Sequence, residues 1–240
     1  MNNNLTIENI KDDYNRIYEG SGIRANSAYY RWLVSLIKPK PGSRLLDVSC
    51  GEGIFLREFA RRIKNAQVYG LDISDKALIR SKANILKGCL VNADGQFIPF
   101  LDEQFDCVSC LGSLEHYLDP EKGIRELFRV GKKDAIFCIV LPNSAGIDFL
   151  LQVIKSGAGP TGNFQIIERT ATRKEWEDLL EKNGFKVMKV FGSNLWPELF
   201  QEGSIKIKSL GKYFKRKLIK IFCPVNLARE FIFICRKKQF

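Results

Sequence analysis

A short apolar segment that breaks into a glycine-rich turn constrains this chain more than any other feature. Residues 43–53 have the sequence Ser-Arg-Leu-Leu-Asp-Val-Ser-Cys-Gly-Glu-Gly, and residues 54–64 continue with helical apolar spacing. The apolar residues of the segment can be buried on both faces, as in a parallel sheet. Gly51 and Gly53 leave no side chain between the backbone and a ligand above the turn. Because the free N–H groups of the following helix point to the same place, this unit predicts a small-ligand site.

The next two predicted strands end in acids at positions expected for a nucleoside site. Asp72 ends the strand 67–73, at about the distance beyond the glycines where βαβ units place a carboxylate on ribose hydroxyls. This carboxylate can accept two hydrogen bonds from a vicinal diol. The strand 89–93 leads into Asp94 and Gly95, where a carboxylate can accept a hydrogen bond from an adenine amino group.

A fourth predicted strand, residues 105–111, opens into the sequence Gly-Ser-Leu-Glu-His-Tyr. In this order, the four strand ends resemble those of the class I S-adenosylmethionine-dependent methyltransferases, in particular the small-molecule group with the pattern LDVGCGxG. The resemblance implies an α/β fold, with a Rossmann-like, seven-stranded, mostly parallel sheet, an antiparallel last strand and helices on both faces. It also implies S-adenosylmethionine as the cofactor.

The resemblance assigns family roles to individual residues. The glycine turn takes the methionine part of the cofactor, Asp72 takes the ribose, and Asp94 with Gly95 takes the adenine amino group. Asp47 anchors the first turn. Ser49 stands where a glycine is usual, and its Cβ narrows the turn. The predicted cofactor-binding set is Asp47, Ser49, Gly51, Gly53, Asp72, Ile73, Asp94, Gly95 and Leu111.

The only histidine of the chain, His116, follows the fourth strand beside the expected position of the sulfonium. Methyl transfer is an in-line displacement, so the protein mainly has to align donor and nucleophile at about 3 to 3.5 Å. A nearby base helps an oxygen or nitrogen nucleophile to lose its proton. We therefore predict His116 as the base and Glu115 as a residue that orients the imidazole or binds substrate. The alternative is that His116 only caps a helix or pairs with a carboxylate.

A metal site is not predicted. Some related O-methyltransferases that act on quinone-type phenols carry Glu-x-x-Glu-His at this place and bind a divalent metal. This chain has Gly-Ser-Leu-Glu-His at residues 112–116, so the first carboxylate is missing. With one hard oxygen ligand fewer, a dedicated magnesium site is disfavoured.

The length of 240 residues suits one α/β domain, residues 1–240. In the resembled family, N-terminal helices such as those predicted within residues 1–42 cover the cofactor. Tyr14 and Tyr18 are thus candidates to close over its methionine end, with plain packing on the sheet as the alternative. Residues 143–170 are too long for an ordinary connection and predict a lid-like insertion, with a passive surface loop as the alternative.

Seven cysteines are an odd number, and five of them fall in predicted strands: Cys89, Cys107, Cys110, Cys138 and Cys235. A thiol inside a strand acts as a small buried apolar group, which indicates a reducing, cytoplasmic compartment. Cys107 and Cys110 resemble a redox or zinc pair. However, an offset of three along a strand sends the two sulfurs to opposite faces. The first residues lack the pattern of a secretory signal, and no transmembrane helix is predicted.

The net charge of +11 is concentrated near the C-terminus. Residues 1–200 hold 27 basic and 25 acidic side chains, whereas residues 201–240 hold 11 and 2. The segment 193–226 holds seven of these 11 basic side chains, and within it residues 210–221 form a basic amphipathic stretch. Three interpretations stay open: packing on the domain, peripheral contact with an anionic inner membrane surface, and contact with nucleic acid. With the apolar helix at 147–154, this segment suggests an amphiphilic acceptor.

The sequence thus predicts a methyltransferase that acts on an oxygen or nitrogen of a small molecule, glycan or lipid-linked acceptor. An RNA methyltransferase and a non-catalytic cofactor-binding module are the alternatives, with nucleic acid the less favoured partner. A nicotinamide-dependent oxidoreductase fits less well, because Leu56 stands where a dinucleotide site has its third glycine. The oligomeric state does not follow from the sequence.

Overall fold

The computed structural model describes most of the chain, in the ranges 6–20, 22, 27–157, 167–193 and 224–239. Two predicted features lie partly outside these residues: positions 158–166 of the insertion, and positions 194–223 of the basic segment, which include the amphipathic stretch 210–221. Within the described ranges, no helix has the length and apolar character needed to cross a membrane.

Seven strands form one mixed sheet. The strands are β1 Arg44–Val48, β2 Gln67–Asp72, β3 Cys89–Asn92, β4 Phe105–Leu111, β5 Gly131–Pro142, β6 Phe185–Ser193 and β7 Glu230–Lys237. The helices are α1 Ile7–Glu19, α2 Ser27–Ile37, α3 Ile54–Arg62, α4 Asp75–Asn84, α5 Pro120–Val130, α6 Ile147–Ser156 and α7 Arg173–Lys182. The strand order is β3-β2-β1-β4-β5-β7-β6, and β7 is antiparallel to both of its neighbours. The predicted fold class is confirmed.

The sheet separates two hydrophobic cores. One core lies between the sheet and helices α2 and α3, and the other lies between the sheet and helices α5 and α7. Cys107 and Cys110 belong to different cores, as the alternation of side chains along β4 requires. The expectation that Cys89 is buried is wrong, because β3 is an edge strand and Cys89 is exposed there.

Local capping interactions define the helix boundaries. Thr172 caps α7, and Glu175 completes the predicted capping box. Thr6 caps α1 in the same way, although Asn9 takes the place of the usual Glu or Gln. The Asn9 side-chain oxygen accepts a hydrogen bond from the Thr6 backbone N–H at 3.1 Å. Pro120 begins α5, where a missing N–H costs nothing.

The parallel strands bring the candidate residues together. Strands β3, β2, β1 and β4 are adjacent and parallel, so their carboxyl ends lie at one edge of the sheet. The glycine turn, Asp72, Asp94 and the Glu115–His116 pair each follow or end one of these strands. The sheet thereby brings residues that are far apart in the sequence to its carboxyl edge.

Phe137 provides a test of the core on the α5 side. Its side chain is fully buried and packs edge-to-face on Phe185, with ring centroids 4.7 Å apart. We expect Phe137→Ala to lower the free energy of unfolding by about 3 to 5 kcal/mol, because it removes the ring and leaves a cavity. Leu101→Ala is the control, since Leu101 is 74% exposed and its loss should cost less than about 0.5 kcal/mol. Denaturant unfolding measures both; equal losses would contradict this packing.

Candidate active site

The turn after β1 is built around the carboxylate of Asp72. One carboxylate oxygen accepts a hydrogen bond from the backbone N–H of Gly51 at 2.8 Å, and the other accepts one from Ser74 at 2.9 Å. Asp72 is 5% exposed, and burial raises the pKa of its carboxyl to about 6, although hydrogen bonds from the backbone of Ser74, Gly51 and Ile73 act in the opposite direction. Asp72 therefore joins the glycine turn to the start of α4. A carboxylate has about four acceptor positions, so some capacity is left for a further donor.

Both glycines of the turn are required by its geometry. Gly51 has a φ of +53°, and a Cβ there would lie 2.6 Å from the hydroxyl of Tyr18. Gly53 has a φ of +70°, and a Cβ there would lie 2.2 Å from the Oγ of Ser81. Any side chain would therefore be strained and would also collide with a neighbour. Gly51 and Gly53 are both buried, and the binding of a ligand above this turn stays a prediction.

Ser49 adopts the conformation of the glycine that it replaces. Its φ is +58°, in the left-handed region, and its Oγ lies 2.9 Å from the hydroxyl of Tyr117. The same hydroxyl lies 2.0 Å from the position that a Cβ on Gly95 would take. Tyr117 thus connects the turn after β1 to the turn after β3. The sequence prediction did not include Tyr117, because nothing in its local pattern places it across the sheet edge.

Asp47 lies inside β1, beneath the turn. Its carboxylate accepts a hydrogen bond from the Oγ of Ser109 on β4 at 2.6 Å. The side chain is buried, and burial raises the pKa of Asp47 to about 7 despite this bond. The nearby charge of Asp72 raises it further. Asp47 therefore ties β1 to β4, which is compatible with the predicted anchoring role.

Asp94 is held by a residue that the sequence prediction did not include. The Gln96 side-chain amide donates to both carboxylate oxygens of Asp94 at 3.1 and 3.0 Å. The carbonyl of the same amide accepts a hydrogen bond from the Asp119 backbone N–H at 2.8 Å. Gln96 is buried and so fixes the turn after β3 to the start of α5. The two remaining predicted residues line the same edge: Leu111 is buried at the end of β4, and Ile73 is half-buried directly after β2.

A short 3₁₀ turn after β4 carries Glu115 and His116, which are both buried. The Nδ1 atom of His116 donates a hydrogen bond to the backbone carbonyl of Ile167. A carbonyl can only accept, so Nδ1 carries a proton and the neutral ring has its lone pair on Nε2. Nε2 lies 3.6 Å from a carboxylate oxygen of Glu115. The ring of Tyr14 meets the imidazole edge-on, with centroids 6.5 Å apart.

Arg169 holds this turn in place. Its guanidinium donates hydrogen bonds to the backbone carbonyls of Glu115, Tyr117 and Leu118. Arg169 and Ile167 both belong to the predicted insertion at 143–170, and its described end packs directly on the turn after β4. The sequence prediction missed both residues, because contacts with backbone carbonyls leave no pattern in the sequence of either partner.

Helix α1 covers the glycine turn and is held there largely by polar contacts. The side-chain oxygen of Asn15 accepts a hydrogen bond from the Oγ of Ser74 at 2.7 Å. Arg80 forms an ion pair with Glu52 at 2.6 Å and also donates to the carbonyl of Gly20 at the end of α1. This places Tyr14 and Tyr18 of α1 over the candidate site. Across the described residues, no cluster of three His, Cys, Asp or Glu side chains could hold a metal ion.

Comparison with known proteins agrees with this arrangement. Residues 46–139 match the family model described as a methyltransferase domain. An uncharacterized protein of Methanocaldococcus jannaschii is 31% identical over 180 residues, which are 65% of this chain and 66% of that protein. A cycloartenol-C-24-methyltransferase of Oryza sativa subsp. japonica is 27% identical over 231 residues, which are 89% of this chain and 67% of that protein. The chain therefore spans about two thirds of the length of these two relatives.

The family model and the named methyltransferases among the relatives support a class I S-adenosylmethionine-dependent methyltransferase. A crystal structure of a putative methyltransferase from Bacillus halodurans has the same fold, with a TM-score of 0.60, 19% identity and coverage of 88% of this chain and 100% of that chain. The cofactor of this methyltransferase is S-adenosylmethionine. The bare turn and the remaining acceptor capacity of Asp72 fit this group. Which residue holds the methionine, ribose or adenine part stays a prediction.

The pH dependence of cofactor binding tests the role of Asp72. The pKa of Asp72 is about 6, so the carboxyl is mostly protonated at pH 5.5 and ionised at pH 7.5. The methyltransferase should therefore bind S-adenosylhomocysteine more weakly at pH 5.5, because a protonated carboxyl accepts hydrogen bonds from the ribose hydroxyls less strongly. Asp72→Asn should weaken binding about tenfold or more at pH 7.5 and should flatten this dependence. Any pH dependence of the affinity that remains in this variant is assigned to other titrating groups, such as Asp47.

Titration calorimetry at the two pH values measures these affinities, and thermal unfolding checks that each variant is folded. Asp75→Asn is the matched control, because Asp75 begins the same helix but forms an exposed ion pair with Lys11. This control should bind like the unmodified protein. Equal affinity in Asp72→Asn would overturn the assignment of Asp72 to the ribose.

Ser49 tests the strain in the first turn. Ser49→Ala keeps the left-handed backbone but loses the bond to Tyr117, so we expect a loss of about 1 kcal/mol in the free energy of unfolding. Ser49→Gly loses the same bond but relieves strain of about 1 kcal/mol, so it should be close to neutral. Denaturant unfolding compares the two. A glycine variant less stable than the alanine variant would contradict this account.

Proposed function

We propose that this methyltransferase transfers a methyl group to a hydroxyl or amine of an amphiphilic small molecule, with His116 as the base that takes the acceptor's proton. The observation that carries the proposal is the anchoring of His116. Its Nδ1 donates to the Ile167 carbonyl, so the lone pair of the neutral ring is on Nε2. His116 follows β4, the strand next to β1 and its glycine turn.

The chemistry requires little else from the side chains. When bound, the cofactor supplies a methyl carbon that is already activated by a positively charged sulfur. The protein has to align the acceptor and receive the proton that the O–H or N–H group loses as the new bond to carbon forms. Nε2 of His116 can receive this proton, and the Glu115 carboxylate at 3.6 Å would stabilise the resulting imidazolium.

Burial strengthens this arrangement. Glu115 and His116 are both largely shielded from solvent, and Tyr14 from α1 packs against the imidazole. In such a site a charge pair interacts more strongly than it does in water. Arg169 fixes the backbone on which both residues lie, so the imidazole keeps its orientation through the reaction.

An apolar helix near the same edge and a basic segment of the sequence support the amphiphilic nature of the acceptor. Helix α6 follows β5 and exposes several aliphatic side chains, and the chain between β6 and β7 is rich in lysine. A soluble, fully polar acceptor would require neither feature.

Carbon methylation is the second candidate function. The rice relative is named a cycloartenol-C-24-methyltransferase, a name that places the methyl group on a carbon. A base at His116 would serve this chemistry as well, because a carbon acceptor also has to lose a proton. The two candidates differ only in the atom that receives the methyl group.

His116→Asn tests the base role. The asparagine amide can still donate to the Ile167 carbonyl, but it has no basic nitrogen. We expect the variant to turn over at least about a hundredfold more slowly. Its affinity for S-adenosylhomocysteine should change by less than about threefold. Turnover is measured with S-[methyl-¹³C]adenosylmethionine and a panel of alkyl phenols, long-chain amines and prenyl alcohols, with total RNA as a separate arm. Unchanged turnover in the variant would refute the base role.

The position of the label in the product distinguishes the candidates. Nuclear magnetic resonance shows whether the ¹³C-methyl group is bound to oxygen, nitrogen or carbon. Attachment to oxygen or nitrogen supports the proposal, and attachment to carbon supports the second candidate. Transfer to RNA alone would refute both, as would tight cofactor binding without transfer to any acceptor.

A further inference from the structure

Within the described part of the chain, helix α6 exposes an apolar surface. Leu150, Leu151, Val153 and Ile154 are 40%, 47%, 37% and 78% exposed, and we call these four side chains the α6 face. Six of the ten residues of α6 are apolar, yet none of those described is fully buried. In the described part of the chain, no other helix or strand packs broadly on α6.

A helix of this kind requires an apolar environment on one side. A ten-residue helix is marginal in water, and helices in proteins gain most of their stability from the burial of an apolar face. The side chains of the α6 face occupy positions i, i+1, i+3 and i+4, so they share one side of the helix. Lys155 lies in the last turn of the helix, directly after Ile154.

The basic segment of the chain begins and ends at the same edge of the sheet. Asn143, just before α6, donates from its side-chain amide to the carbonyls of Asn226 and Ala228 at 2.9 and 2.6 Å. Residues 194–223, which contain seven Lys or Arg and two Glu, therefore rejoin the described chain beside the start of α6. Their other end follows Ser193, which pairs with Glu230 at this edge.

We propose that the α6 face docks on an anionic lipid bilayer. Exposed aliphatic side chains on a protein with a net charge of +11 match an anionic lipid interface, where apolar burial and attraction to headgroups act together. A second copy of this chain is disfavoured as the occupant, because each copy carries a net charge of +11 and the two would repel.

Docking in this orientation would turn the carboxyl edge of the sheet towards the bilayer. The glycine turn and the Glu115–His116 pair lie at this edge, as does the start of α6. An acceptor held in the membrane could then reach the site without leaving the lipid phase. This inference goes beyond the proposed function, because the surface would bind lipid whether or not His116 acts as a base.

Vesicle flotation of the full chain tests the docking surface. The vesicles contain phosphatidylcholine alone, or phosphatidylcholine with 30% phosphatidylglycerol. We expect the unmodified protein to float with the anionic vesicles, and its binding to weaken with salt. The combined variant Leu150→Ser, Leu151→Ser and Ile154→Ser should bind at least tenfold more weakly, and Ile154→Glu alone should weaken binding several-fold.

The matched control replaces three exposed aliphatic residues elsewhere on the surface: Ile79→Ser, Leu86→Ser and Leu101→Ser. This control should bind vesicles within twofold of the unmodified protein. Equal loss in both triple variants would overturn the proposal, as would failure of the unmodified protein to float. A dimer that the α6 substitutions dissociate, without any vesicle binding, would instead assign the face to a second copy.

Cofactor affinity separates this test from that of the proposed function. Every α6 variant should bind S-adenosylhomocysteine as the unmodified protein does, because no α6 residue belongs to the candidate site. His116→Asn should float like the unmodified protein. An α6 variant that no longer floats but still transfers methyl groups would therefore bear only on the membrane surface. A His116→Asn variant that floats but no longer transfers methyl groups would bear only on the base.

Discussion

The carboxylate of Asp72 is the group on which the rest of the site depends. It accepts backbone hydrogen bonds from Gly51 and Ser74, and so it fixes the glycine turn after β1 against the start of α4. Burial makes this charge costly, and hydrogen bonds from backbone N–H groups offset part of the cost. One side chain thus shapes the turn, and the same side chain is the predicted partner of the ribose.

The loops at the carboxyl edge support one another. Tyr117 bonds to Ser49 across the edge, and Gln96 connects Asp94 to the start of α5. Arg169 ties the far end of the insertion to the turn that carries the catalytic candidates. The consequence is a rigid frame of short loops. Rigid placement matters for methyl transfer, because the reaction depends on alignment more than on chemistry by side chains.

Sequence reasoning succeeded where the signal was local. The glycine turn after β1, the position of an acid at the end of β2 and of another after β3, and the capping box of α7 can each be recognised from a few neighbouring residues. It failed for Cys89, because a strand pattern does not say whether that strand lies at an edge of the sheet. It also gave no sign that α6 would expose its apolar side chains, because periodicity shows a face without showing what covers it.

The sequence by itself determined the fold class, the family and the order in which the candidate residues follow the parallel strands. Only the tertiary structure brought the Ile167 carbonyl to His116 and the Arg169 guanidinium to the carbonyls around Glu115. The physical reason is that every residue has the same backbone carbonyl, so a bond to it leaves no mark in the sequence of the partner. Contacts of this kind are decided by the packing of distant segments.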